Sequence, residues 1–116
     1  MSYAVSIIDR HPIAQNWVHW FVSNIPPVTR EIKEHASGIR DKMPDGALEF
    51  RNSYGELGYG GPQPPRGTGA HLYEITVYAL SLESVSLGPY ATLTEILTHI
   101  RPHIIESAVT SGTFEQ

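Results

Sequence analysis

Residues 58–80 read GYGGPQPPRGTGAHLYEITVYAL, and the fold turns on their second half. His71–Leu80 (HLYEITVYAL) is rich in β-branched and aromatic residues. It alternates, with His71, Tyr73, Ile75, Val77 and Ala79 on one side. That period of two predicts a strand. The first half is nearly all glycine and proline. Pro62, Pro64 and Pro65 fix φ and lower the loop's entropy before any ligand arrives. Gly58, Gly60, Gly61, Gly67 and Gly69 let a ligand approach the backbone closely. Amide groups around Gly67–Gly69 are a candidate anion-binding nest. No GK[ST] follows and no helix starts after the loop, so it is not a P-loop. A stiff loop therefore feeds a strand whose first side chain can carry a proton.

Working outward, Tyr3–Asp9 (YAVSIID) alternates and predicts a strand. Trp17–Ile25 (WVHWFVSNI) predicts a second, ended by Pro26 and Pro27. Short strands are expected at Leu48–Asn52 and Ser84–Leu87, and one helical turn at Thr29–Glu34. The period then changes: Leu93, Ile96, Leu97 and Ile100 sit at helical spacing, behind a Thr92/Glu95 capping-box pattern. Pro102 should interrupt this helix, because proline lacks the N–H and clashes with the preceding turn. A short second turn is expected at His103–Ser107, and the tail AVTSGTF should end as a strand. The sum is a single, mainly β domain over residues 1–116.

The bulk composition narrows the function. With 116 residues, 41% of them apolar, the chain can bury a core and is not a disordered segment. No apolar run is long enough to cross a bilayer, so membrane insertion is not expected. The start, MSYAVSIIDRH, lacks a basic n-region and a small-residue cleavage site, which predicts a cytoplasmic protein. Net charge is −4 with no basic block, so nucleic acid is not an expected partner. Cysteine is absent, which removes disulfides, thiolate metal sites and a thiol nucleophile together.

Three strands each carry one ionisable group on an otherwise apolar face. By simple alternation Asp9 lies with Val5 and Ile7, His19 with Trp17 and Phe21, and His71 with Tyr73 and Ile75. An isolated charge against a core is expensive, so such groups tend to meet one another or line a cleft. Singly, each is more often a cap or a satisfied core residue; together, beside the Gly/Pro loop, they point to a site. His35 lies in a polar stretch and His99 off the helix's apolar stripe, so both are discounted; His103, after Pro102, is a marginal candidate for capping a helix end or facing a cleft. No HExxH, no paired histidines at metal-ligand spacing and no G-x-S-x-G elbow occur. Zinc on Asp9, His19 and His71 remains open by ligand type alone. So does a small metal-dependent or acid/base hydrolase using the same three residues.

The order of these motifs resembles the phosphatidylethanolamine-binding protein family, in its short bacterial and archaeal, Raf-kinase-inhibitor-like form. The carrying residues are Asp9 and Pro12, His19-Trp20, Asn24-Ile25-Pro26, Gly58–Pro62, Pro64-Pro65-Arg66-Gly67, Gly69, His71 and Tyr73, and the tail SAVTSGTF. The resemblance implies an antiparallel β-sandwich with a short C-terminal helix. It also implies a pocket for phosphate-like or other small anions, formed by Asp9, His19, Pro64, Pro65, Gly67, His71 and Tyr73. It implies binding and regulation, in some members inhibition of a kinase or protease, with no cofactor and no common enzyme activity. There are departures. The family's D-P-D-A-P reads DRHPIA here, so His11 stands at the second acidic position, and the segment to His19 is one residue short. The family's G-x-H-R becomes Gly69-Ala70-His71-Leu72, so an arginine is lost from the strand's other side. Family members also carry further strands before the one that begins here at residue 3. Lacking them, the chain should expose a sheet edge and form a homo-oligomer, most simply a dimer.

Overall fold

In the computed structural model, which describes residues 1–116, five strands form one antiparallel sheet. They are β1 (Ser2–Asp9), β2 (Trp17–Ile25), β3 (Leu48–Glu49), β4 (His71–Leu80) and β5 (Ile104–Phe114). Their spatial order is β3-β2-β1-β4-β5, with one helix, α1 (Leu93–Ile100), before the last strand. The mainly β, antiparallel class and the short C-terminal helix are as the resemblance implies. Within this chain the strands make a single sheet, and non-strand segments supply the layers that cover it.

Each face is covered by a different segment. On one, Ala4, Ile8, Val18, Phe21 and Leu80 pack with Phe50, Val85 and the α1 residues Ile96 and Ile100. Burying each of these α1 isoleucines contributes about 1.5–3 kcal/mol. On the other, Val22 and Ile25 pack under Ala36 and Met43 from the long connection after β2.

Two β-bulges decide which residues share a face. β1 pairs with β2 at Ile7↔Trp20 and Ile8↔Val18, which leaves His19 as an inserted residue. The insertion resets the alternation. Phe21 thus joins Val18 and Ile8 in the core, whereas simple alternation had put it on the face of His19. β1 and β4 run in uninterrupted register, with Asp9 opposite Tyr73 and Ile7 opposite Ile75.

The helix starts and stops where the sequence says. Thr92 and Glu95 form a complete capping box, and α1 ends at Ile100, two residues before Pro102. Other expectations change. Thr29–Glu34 forms no helical turn; Ile32 and Ala36 of this connection instead pack down on the sheet. Ser84–Leu87 is not a strand, because the Val85 N–H donates to the Asn24 side-chain oxygen at 2.6 Å and Val85 is drawn into the core. The Leu48–Asn52 strand shrinks to two residues, as Asn52 turns to bond the following loop. No second turn forms over His103–Ser107: a 3-10 turn ends at His103 and the eleven-residue β5 begins at once, paired with β4 along its length.

Candidate ligand-binding site

The first residue of β4 and the last of β1 meet at one end of the sheet. His71 Nδ1 donates to Asp9 Oδ2 at 2.6 Å, and both side chains are buried. The other oxygen, Asp9 Oδ1, accepts the His11 backbone N–H at 2.9 Å. His71 Nε2 lies 2.8 Å from Thr68 Oγ1, whose hydroxyl donates to the Pro65 carbonyl at 2.6 Å. Thr68 has one hydroxyl proton and the carbonyl can only accept. The chain of bonds is therefore fully satisfied when both nitrogens of His71 carry protons, which makes the ring a cation beside the Asp9 carboxylate. The Gly/Pro loop is thus tied by Thr68 to the strand it precedes.

His19, presented by its bulge, is buried on the same side. Its Nδ1–H donates to the Gly60 carbonyl at 2.8 Å, and the Gly60 N–H returns a bond to the His19 carbonyl at 2.9 Å. Only glycine fits at position 60, since a Cβ there would come within 2.5 Å of the Tyr54 ring. His19 Nε2 makes no bond within the chain. The His19 ring meets Tyr73 and Tyr54 edge-on, with centroids 5.1 and 5.6 Å apart.

Tyr73 completes the floor. It is 7% exposed, and its hydroxyl makes no well-formed hydrogen bond within the chain, only a weak approach to the Asp9 carboxylate. Burial first, and then the nearby Asp9 carboxylate, push its phenol up to about 12. It therefore remains a neutral donor throughout the physiological range. Tyr54 is raised for the same two reasons, and its hydroxyl donates to the Gly61 carbonyl at 2.8 Å at the rim.

These groups enclose a cavity of about 230 Å³. At ~30 Å³ per water molecule, that is room for a small ligand and too little for a drug-sized one. Of the seven residues expected at a site, Asp9, His19, Pro64, Pro65, His71 and Tyr73 line it. Gly67 does not: it takes φ +83° in the turn behind the wall, where its backbone freedom is what matters. The expected amide nest at Gly67–Gly69 is not formed toward the cavity, because the Thr68 N–H is directed at the Pro65 carbonyl and none of the three residues lines the space. Arg66 is absent from the lining as well.

Five further residues line the cavity that alternation did not single out: Ile13, Ala14, Trp17, Tyr54 and Gln63. Trp17 was visible as a neighbour of His19, two residues away on β2. Tyr54 carried no local signal, since it arrives through a loop held by Asn52. His11 has a role beyond replacing an acid. Its ring stacks on His71 at 3.9 Å between centroids and 8° between planes. Its Nδ1 accepts the Ile13 N–H at 3.1 Å, so that nitrogen carries no proton. His35, His99 and His103 lie away from the cavity. No group of three or more His, Asp or Glu side chains is arranged to hold a metal ion.

A family model described as phosphatidylethanolamine-binding protein matches residues 1–115. The chain belongs to this family. It is 37% identical over 115 residues to a UPF0098 protein of Aquifex aeolicus, covering 99% of this chain and 66% of that protein. A UPF0098 protein of Pyrococcus horikoshii is 40% identical over 117 residues, covering 99% of this chain and 58% of that one. The crystal structure of Escherichia coli YbcL, described as a new member of the mammalian family, superposes with a TM-score of 0.88 at 31% identity. That match covers 99% of this chain and 71% of YbcL. The chain thus spans about three fifths to two thirds of the length of the two UPF0098 relatives. No helix is long and apolar enough to cross a membrane. A Mycobacterium tuberculosis relative bears a lipoprotein name, so the family as a whole does not carry the cytoplasmic expectation.

Proposed function

We propose that the cavity is a receptor for a small oxyanion of the phosphate-monoester type, and that the protein binds its ligand without transforming it. The observation that carries this reading is the Tyr73 hydroxyl, buried and unpartnered beside a free His19 Nε2. A buried hydroxyl without a partner costs about 1–3 kcal/mol. An acceptor oxygen in the cavity recovers that cost. Asp9 would repel an anion alone, but its charge is offset by His71 and its oxygens are already taken by His71 and the His11 N–H. His19, whose Nδ1 is held by the Gly60 carbonyl, leaves Nε2 as a second polar contact for the ligand.

A hydrolytic reading has one feature in its favour. Asp9, His71 and Thr68 form a carboxylate–imidazole–hydroxyl line with the connectivity of a nucleophilic triad. Two facts argue against it: the Thr68 proton points at the Pro65 carbonyl, and Thr68 is not part of the cavity wall. A metal-dependent route lacks a ligand set. Binding is the better reading, and Thr68 an anchor for the loop.

The direct test is titration with inorganic phosphate and phosphoethanolamine, followed by amide chemical shifts. Shifts centred on His19, His71 and Tyr73 are expected, and they should vanish in Asp9→Ala and His71→Ala proteins. Unchanged shifts in both variants would remove the assignment. Family resemblance extends the proposal to regulation of a kinase or protease, and the exposed β5 edge extends it to a homo-oligomeric state. Inhibition of a purified kinase or protease that phosphoethanolamine relieves would support the regulatory role. Inhibition that the ligand leaves unchanged would separate that role from the cavity.

A further inference from the structure

The cavity has two zones that differ in depth and in chemistry. Its buried side chains are ionisable: Asp9, His19, His71 and Tyr73. Those that meet solvent at its mouth are apolar or aromatic, with Ile13 58% exposed, Tyr54 39% and Trp17 38%. Exposed hydrophobics scattered singly are ordinary, but three around one opening form a patch that marks a binding surface. The mouth is also held in shape. A 3-10 turn at Pro12–Ala14 carries Ile13, closed by the Ala14 N–H on the His11 carbonyl at 2.9 Å. Gln15 and Asn16 follow in the left-handed region, at φ 50° and 58°, and the Arg10 guanidinium donates to Asn16 Oδ1 at 2.8 Å. The Trp17 and Tyr54 rings meet edge to face, with centroids 5.4 Å apart.

Resting on the oxyanion reading above, we infer that the ligand is a phosphate monoester of an apolar alcohol. Its phosphate lies against the buried donors, and the first carbons of its ester group lie against Ile13, Trp17 and Tyr54. Size asks for such a group. At ~30 Å³ per water-sized atom the cavity of about 230 Å³ holds about eight non-hydrogen atoms. A phosphorus and four oxygens leave part of that space empty beside the apolar mouth. Charge decides what fills it. Asp9 is the one carboxylate on the wall, and its two oxygens take the His71 ring and the His11 backbone N–H. The Gly60 and Gly61 carbonyls accept from His19 and Tyr54. The remaining polar side chain, Gln63, is an exposed amide with no charge to offer. An ammonium group would shed water here, near the His71 cation, and meet no free carboxylate. A cation over Trp17 would gain only the weak attraction of an exposed ring. A hydrocarbon group pays no such penalty and covers the patch.

n-Propyl phosphate and phosphoethanolamine test this cleanly, because they are isosteres: a terminal methyl in one stands where the other has an ammonium. Calorimetry at a single pH compares both with inorganic phosphate. n-Propyl phosphate should bind about tenfold more tightly than either of the others. Ile13→Ser and Trp17→Ala should each shrink its advantage over inorganic phosphate to roughly threefold or less. Ile13 lies on an exposed turn, so that variant keeps the fold, and circular dichroism checks both. Phosphoethanolamine binding as tightly as n-propyl phosphate would overturn the inference. So would equal affinity for all three, or an advantage that neither variant reduces. In each of those cases the oxyanion reading stands. Binding of none of the three would overturn the inference and that reading together.

Discussion

β1 and β4 run side by side for eight residue pairs, yet their two ends do different work. Toward the Leu80 end apolar side chains close over α1, with Leu80, Phe21 and Ile100 at 0% exposed, and the buried Ser2 hydroxyl opposite Leu80 is satisfied by the Leu82 carbonyl at 2.7 Å. At the His71 end the same strands carry Asp9, His71 and Tyr73 at nearly the same depth, around a space no side chain fills. Burial is alike at the two ends and chemistry is not. One end gains stability from apolar area. The other holds polar groups in a network whose last donor, Tyr73, is left unbonded. Depth alone does not make a core, nor does an unmet hydrogen bond alone make a site: Ser6 Oγ, mid-strand on β1, is also buried without a partner, but only the Tyr73 hydroxyl belongs to a residue that lines a cavity.

The largest effect should come from the apolar end. Phe21→Ala should cost about 3–5 kcal/mol in urea unfolding, while the folded fraction still binds phosphate. Asp9→Ala breaks a buried pair and leaves His71 uncompensated, at a cost of about 3 kcal/mol; here binding should disappear with the stability. A double variant with His71→Ala should cost less than the sum of the singles, since the two side chains act as one unit.

Alkali should act on the polar end alone. Tyr73 holds its proton more tightly when folded, so its contribution is whole below the ordinary tyrosine pKa of 10 and is lost as pH rises toward about 12. The loss is on the order of 2 kcal/mol and should be flatter in Tyr73→Phe. The smallest effect belongs to the helix that covers the other end. Thr92→Ala removes the cap hydroxyl and should cost about 1 kcal/mol without altering binding. The Glu95 carboxyl is lowered first by the Thr92 backbone N–H and then by the Thr92 hydroxyl, so in that variant it should move only part of the way back toward the ordinary glutamate value, because the backbone bond remains.

The sequence was most legible where a local rule and the tertiary context agree. The strand at His71–Leu80, the capping box and the stop before Pro102 each follow from short-range physics. Asp9, His71 and Tyr73 were legible because β1 and β4 pair without a bulge, so alternation survives into the sheet. His19 reached the site for a reason alternation misses: a bulge inserts it, and the same bulge turns Phe21 to the core. Long-range partners were hidden. Val85 is taken by Asn24, sixty-one residues away, and Tyr54 enters the wall through a loop organised by its own polar bonds. Thr68 and His11 were not legible as the groups that brace His71, because both contacts depend on how the loops close.

Tyr73→Phe tests the central claim most directly, because it deletes one oxygen from the cavity and nothing from the fold. The variant should be as stable as the parent chain or up to about 1 kcal/mol more so, having lost an unbonded buried hydroxyl. Its affinity for phosphate, measured by calorimetry, should fall roughly tenfold or more, as expected for a hydrogen bond to a charged group worth about 1.5–3 kcal/mol. Equal phosphate affinity in the two proteins, or a variant clearly less stable than the parent, would contradict the account.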